Sequence, residues 1–206
     1  MSLYNYNEPK IAILSCASLA QEIRSVAEGY PYPYVLKVIN ATCHRDPGHL
    51  VSIVDSYISS LLAEGMKIFI TYGNCCSYVN LDSNNIHQVD AFNCAAILLG
   101  GNNEYLKYAD KAYFLTPYLS RNWKSYFLGK SKDFIPDEKT LIRLKKWFNT
   151  IDIVVKININ TNFHKDEMFL AKEFAQLIDK PVNYVDGSIN FLRGEYRNFL
   201  LSFPHK

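Results

Sequence analysis

A doubly wound, Rossmann-like α/β fold, a mostly parallel sheet with helices on both faces, is predicted by three features of this sequence. Short apolar runs recur along the chain, amphipathic stretches separate them, and the order through residue 116 reads β-α-β-α-β-α-β. Such alternation favours parallel strands joined by right-handed crossovers. A length of 206 residues and a mass of 23.7 kDa are enough to bury a full core, so one domain spanning 1–206 is expected.

Lys10 to Cys16 is short and apolar on both faces, as a buried central strand should be, and Ser18-Leu19-Ala20-Gln21 has a helix-capping pattern after it. Past the turn-rich Tyr30-Pro31-Tyr32-Pro33, Tyr34 to Ile39 is the second strand. Asp46 is placed to cap a helix with Pro47 at its first position. Leu50, Ile53, Val54, Tyr57, Ile58, Leu61 and Leu62 give that helix one apolar stripe, and Gly65 ends it. Met66 to Gly73 is a third buried strand. Asn93 to Leu106 is helical, weakened or split at Gly100-Gly101, and Lys111 to Thr116 is a fourth strand before Pro117.

Further on, Asp137 to Asn149 is an amphipathic helix. Ile151 to Asn160 alternates with period two and reads as a peripheral strand with one solvated side. Lys165 to Ile178 is another helix, Pro181 to Tyr184 a short strand, and Ser188 to Leu201 a final helix.

Composition narrows the function. Lys plus Arg number 22 against 20 Asp plus Glu, so the net charge of +2 gives no electrostatic footprint for a nucleic-acid partner. The 15 Tyr and 12 Phe are expected to pack cores and clefts, because base stacking would need a basic groove beside them. No segment reads as a signal peptide or a membrane span, so a cytoplasmic protein with no membrane partner is expected. Five cysteines, an odd number, then argue for reduced thiols rather than a disulfide framework. A homodimer, the commonest assembly of soluble chains, is the expected oligomer.

In open α/β sheets ligands sit beyond the carboxyl ends of the strands. Cysteines gather on the loops there. Cys16 ends the first strand, Cys43 and His44 follow the second, Cys75 and Cys76 follow the third, and Cys94 opens the helix before the fourth. Cys16 and Cys94 are near helix N-termini, where the dipole favours thiolate. Thiolates with an imidazole suit zinc, iron or an iron-sulfur cluster. No CxxC pair is present, so the spacing does not define the set, and for each cysteine a buried small hydrophobe is the competing reading. Gly73 beside Cys75-Cys76 permits a close backbone approach to a ligand. His44 is a candidate general base, and Asp90 and Asn93 are candidates to orient ligands near Cys94. His49 falls in the first turn of its helix. There is no glycine-rich phosphate loop, GxSxG elbow or HExxH motif.

These ordered motifs resemble domain-of-unknown-function family 1638. Ser15-Cys16-Ala17-Ser18-Leu19 resembles its opening CGAL segment, His44 with Pro47 its His-x-x-Pro, and Tyr72-Gly73-Asn74-Cys75-Cys76 its GYGLCG. Asn93-Cys94 followed by Ile97-Leu98-Leu99-Gly100 resembles its HDC and LFLG, Tyr113 to Pro117 its YYLT strand, and Asn190 to Tyr196 its C-terminal pattern. The resemblance implies that Cys16, His44, Cys75 and Cys94 are the family's recurrent polar positions. It also implies a link to metallocofactor or one-carbon chemistry, since some members are similar to proteins encoded beside corrinoid-dependent methyl-transfer systems. There are two departures from the pattern: Phe92 and Asn93 stand where the family has His and Asp, and Cys76 replaces a glycine. If the family's chemistry needs that histidine, this chain is altered or inactive unless Cys76 substitutes.

Three function classes follow. The first is a metal or iron-sulfur site of Cys16, His44, Cys75 and Cys94, with Cys76 as a further donor, acting on a small molecule or handling a metallocofactor. The second is a metal-free enzyme using a cysteine thiolate as nucleophile or as one base of an epimerase, with Cys75 and His44 as candidate catalytic residues. The third is a binding domain with inert core cysteines.

Overall fold

The computed structural model describes residues 10–74, 84–159 and 165–203. The chain divides into two compact units, Met1–Cys94 with Asn190–Lys206, and Ala95–Ile189. The fold is α/β and its strand pairs are parallel, but the strands form two sheets where one is expected. Alternation along a chain sets strand direction; it does not mark where one sheet ends and the next begins. Where one domain over 1–206 is expected, each of the two compact units is built on a sheet of its own.

In the first unit the sheet order is β2-β1-β3-β4, with β1 at Ile11–Cys16, β2 at Tyr34–Ile39, β3 at Lys67–Ile70 and β4 at Ile86–Gln88. All six residues of β1 are buried, which requires both faces of the sheet to be covered. The α1 helix, Ala20–Ala27, packs on β1 and β2 and also against α8, Asn190–Leu201. From α8, Tyr196 and Phe199 meet the Phe69 ring at 5.1 and 5.3 Å. Each ring so buried contributes roughly 1.5–3 kcal/mol. Burial also pushes the Tyr196 hydroxyl up to about 12, which keeps it neutral over the physiological range.

The α2 helix, Pro47–Ala63, begins as the sequence predicts, with the Asp46 carboxylate accepting the His49 N–H at 3.1 Å. Asp46→Ala is expected to cost about 1 kcal/mol, read as a lower midpoint in urea unfolding. Ser18 does not cap α1: the N-cap residue is Leu19, with no side-chain bond, and the Ser18 N–H faces the Cys16 sulfur instead.

The Asn93–Leu106 stretch is two helices, α3 at Cys94–Leu99 and α4 at Asn102–Leu106. Gly100 and Gly101 divide them with φ of 100° and 123°, a backbone that side chains oppose. The second unit then carries a sheet of order β5-β6-β7, with β5 at Ala112–Leu115, β6 at Ile153–Asn158 and β7 at Val182–Asp186. Its helices are α5 at Pro117–Trp123, followed by a π-helical turn over Lys124–Leu128, α6 at Glu138–Trp147 and α7 at Lys165–Leu177. Here the aromatic surplus is core. Tyr113, Phe127, Phe148 and Phe174 form one ring cluster, with centroids 5.0 to 6.1 Å apart in all six of its pairs.

The expectation that residues 151–160 form a peripheral strand is corrected: β6 is the central strand, bonded on both sides. Lys156, read as solvent-facing, is only 1% exposed because Glu167 of α7 pairs with it at 3.0 Å.

Candidate functional site

In the sheet order β2-β1-β3-β4 the chain leaves β1 toward one edge and continues from β3 toward the other. The carboxyl ends of β1 and β3 therefore flank the topological switch point, where doubly wound sheets leave a crevice for ligands. Cys16 is the last residue of β1, and beneath it Thr71 donates to Ser15 at 2.8 Å in a buried hydroxyl pair bridging β1 and the end of β3. Sequence reasoning passed over that pair, although Ser15 and Thr71 are the polar residues terminating two otherwise apolar runs.

Three of the expected residues come together there. The Cys16 sulfur is 3.4 Å from His44 Nε2, and it is in side-chain hydrogen-bond contact with Cys94. It also receives the Ser18 N–H at 3.5 Å. Hydrogen bonding from Cys94 is the largest of the influences that hold the Cys16 thiol well below its ordinary value. Burial opposes this, while the His44 hydrogen bond and charge and the Ser18 N–H reinforce it. Because the folded value is depressed, the stability this group contributes is present above the ordinary thiol range and is lost as pH falls through the lowered value.

Each residue has a local reason for its place. Ala17 N–H bonds Ile39 O at 2.8 Å and Leu19 N–H bonds Cys16 O at 2.9 Å, fixing the turn that follows β1. His44 rides on a 3-10 turn, Ala41–Arg45, whose start is capped by the Asn40 side chain accepting from Thr42 N at 3.0 Å. Cys94 is set by the packing of two loops: Asn74 N–H bonds Ala91 O at 2.6 Å, and a Cβ on Gly73 would fall 2.2 Å from that same oxygen and 2.7 Å from Asn93 N. The bare backbone of Gly73 therefore serves an approach to the loop 91–93, where a ligand is the sequence expectation.

Cys16 is nearly sealed at 2% exposure, whereas Cys94 and His44 are half-buried and form the accessible side. Cys43 is half-buried on the 3-10 turn. His49 is exposed, Asp90 accepts from the Asn74 amide at 3.4 Å, and Phe92 is 42% exposed. Cys75 and Cys76 lie outside the described residues. Among the described residues, no group of three His, Cys, Asp or Glu side chains is arranged to hold a metal ion. Nor, among them, is any helix long and apolar enough to cross a membrane.

A parallel-sheet α/β protein, with Cys16 and His44 meeting at the switch point of its first sheet, is the class that fold and site define. Residues 38–195 match the family described as a protein of unknown function, DUF1638, and the chain belongs to that family. His44 and Cys94 fall inside the matched stretch and Cys16 precedes it. No curated protein matches the chain.

Proposed function

We propose that the protein is a thiol-dependent enzyme acting on a small molecule, with Cys94 as its nucleophile, Cys16 as the adjacent base and His44 as the group that stabilises and exchanges their proton. The observation that carries this reading is the contact of the Cys16 sulfur with both Cys94 and His44. A nucleophile needs a neighbouring base and an open side. Cys16 supplies the first and the half-buried Cys94 the second.

Alkylation with iodoacetamide across pH, read peptide by peptide, tests the assignment. Cys94 is expected to be the sulfur that labels, because Cys16 is sealed. Cys16→Ala should slow that labelling about tenfold or more near about pH 6, since the nucleophile loses its base. Equal Cys94 labelling in the wild type and in Cys16→Ala would reject the reading. His44→Ala should slow it by less, since Cys94 is the larger influence on Cys16.

The same two sulfurs and imidazole favour a second reading, a zinc, iron or iron-sulfur site completed by Cys75 or Cys76. Elemental analysis of protein purified without oxygen separates the two. Near-stoichiometric metal lost in Cys75→Ser and in Cys16→Ser supports the metal site, and metal-free protein whose Cys94 labelling depends on Cys16 supports the thiol enzyme.

A further inference from the structure

We infer that the second unit carries an oxyanion site, taking inorganic phosphate or the phosphate group of a small metabolite, in a recess at the π-helical turn that follows α5. It is built wholly from residues of that unit and owes nothing to the thiol reading. The recess has an empty volume of about 190 Å³, part of it open to solvent, and is lined chiefly by Arg121, Trp123, Lys124, Ser125 and Lys132, with Leu170 of α7 as an apolar wall. Pockets for drug-sized ligands run to roughly 300–1,000 Å³, so this one suits a small group. Local geometry explains why it forms. The helix ends in a π turn rather than a plain α-helical one, an irregularity that recurs at functional sites. The Lys124 ammonium, on a residue 8% exposed, donates to Lys132 O at 2.9 Å, which holds the chain after Gly129 against the turn and brings Lys132 to the recess.

The Trp123 indole carries the inference furthest. Trp123 is 1% exposed, its Nε1 has no hydrogen-bond partner among the described residues, and the Lys124 ammonium lies 5.3 Å from its ring. A buried donor without an acceptor is costly, and folded proteins keep few of them. This one belongs to a side chain lining a recess whose charged groups are all cations, so the missing partner is an acceptor with negative charge. The balance of charge agrees. Glu167 pairs with Lys156 at 3.0 Å and with Arg121 at 3.5 Å, Glu173 pairs with Lys124 at 2.9 Å, and neither carboxylate lines the recess. Arg121, Lys124, Lys132 and Lys156 thus outnumber the carboxylates paired with them by two, an excess that a phosphate dianion neutralises. Arginine matches phosphate oxygens with its planar fork of N–H groups, and lysine meets them as a point charge.

Trp123 can report its own ligand. In full-length Trp147→Phe, where Trp123 is the one remaining tryptophan, inorganic phosphate is expected to change the indole emission saturably, with half-saturation near or below about 1 mM, while potassium chloride at equal ionic strength does not. Equilibrium dialysis of the wild type with radiolabelled phosphate should find one ion per chain in the same range. Lys132→Glu, at an exposed position where the fold should be kept, is expected to raise the half-saturation about tenfold or more. Glycerol phosphate as a competitor separates the two sources: tighter binding than phosphate assigns the site to a phosphomonoester, weaker binding assigns it to the free ion, and either supports the inference. No phosphate bound in dialysis, an emission change that chloride reproduces, or binding unaltered in Lys132→Glu overturns it.

Discussion

Glu167→Gln is expected to destabilise the protein by about 3–5 kcal/mol, seen as a lower urea midpoint for the unit built on β6. Lys156 sits on the central strand of that sheet at 1% exposure, and the carboxylate facing its ammonium at 3.0 Å belongs to a residue 3% exposed in the first turn of α7. The lysine also donates to Ile157 O at 2.6 Å. That carbonyl bond satisfies a proton but supplies no negative charge, so an amide at position 167 leaves a buried cation without its counter-ion. The other carboxylate oxygen faces Arg121 at 3.5 Å, and this guanidinium is 20% exposed and can turn toward water. The asymmetry predicts an ordering among variants. Lys156→Met should cost less than Glu167→Gln, because Arg121 still pairs with the carboxylate. Lys156→Met combined with Glu167→Leu should recover much of the loss, since an apolar pair of similar volume has no charge to desolvate. A Glu167→Gln midpoint within about 0.5 kcal/mol of wild type would show that this pair is solvated in solution.

The same pair explains where the sequence misleads. A lysine and two asparagines at alternating positions are the ordinary mark of a solvated strand face, and nothing within residues 151–160 reveals that Glu167, a helix away, neutralises Lys156. By contrast, β2 and the start of α2 are legible because their causes are local: a β-branched run after prolines, and an aspartate one residue before a proline. Thr116-Pro117 has that same cap signature, with Thr116 accepting from Leu119 N at 3.3 Å, and a helix there was open to the same reasoning. The strand β4 had no readable signal, since three residues, Ile86-His87-Gln88, take their conformation from pairing with β3. The site divides in the same way. Cys16, His44 and Cys94 are found by their positions at loop starts, a one-dimensional property. Their meeting is set by strand order, which the sequence leaves open.

Gly73→Ala is the substitution in which fold and site should fail together. Real Cβ atoms do not approach other atoms within 3.0 Å, and here one would lie 2.2 Å from a backbone carbonyl and 2.7 Å from a backbone nitrogen. Backbone cannot rotate aside as a side chain can, so the 91–93 segment must move and take Cys94 with it. Overpacking of this kind costs about 1–3 kcal/mol. The informative readout is the rate at which Cys94 labels. Once the sulfurs part, Cys16 loses the largest influence holding its thiol low, and Cys94 loses its adjacent base. Gly48→Ala is the control, because its Cβ would meet only Asp46 Oδ1 at 3.6 Å, an ordinary contact, and alanine within a helix is favoured by roughly 0.5–1 kcal/mol. A Gly73→Ala protein with lowered stability but unchanged Cys94 labelling would mean that the approach of Cys94 to Cys16 is held by something other than this loop packing. Unchanged stability and unchanged labelling together would mean that residues 73 and 91–93 are farther apart in solution than in the structure.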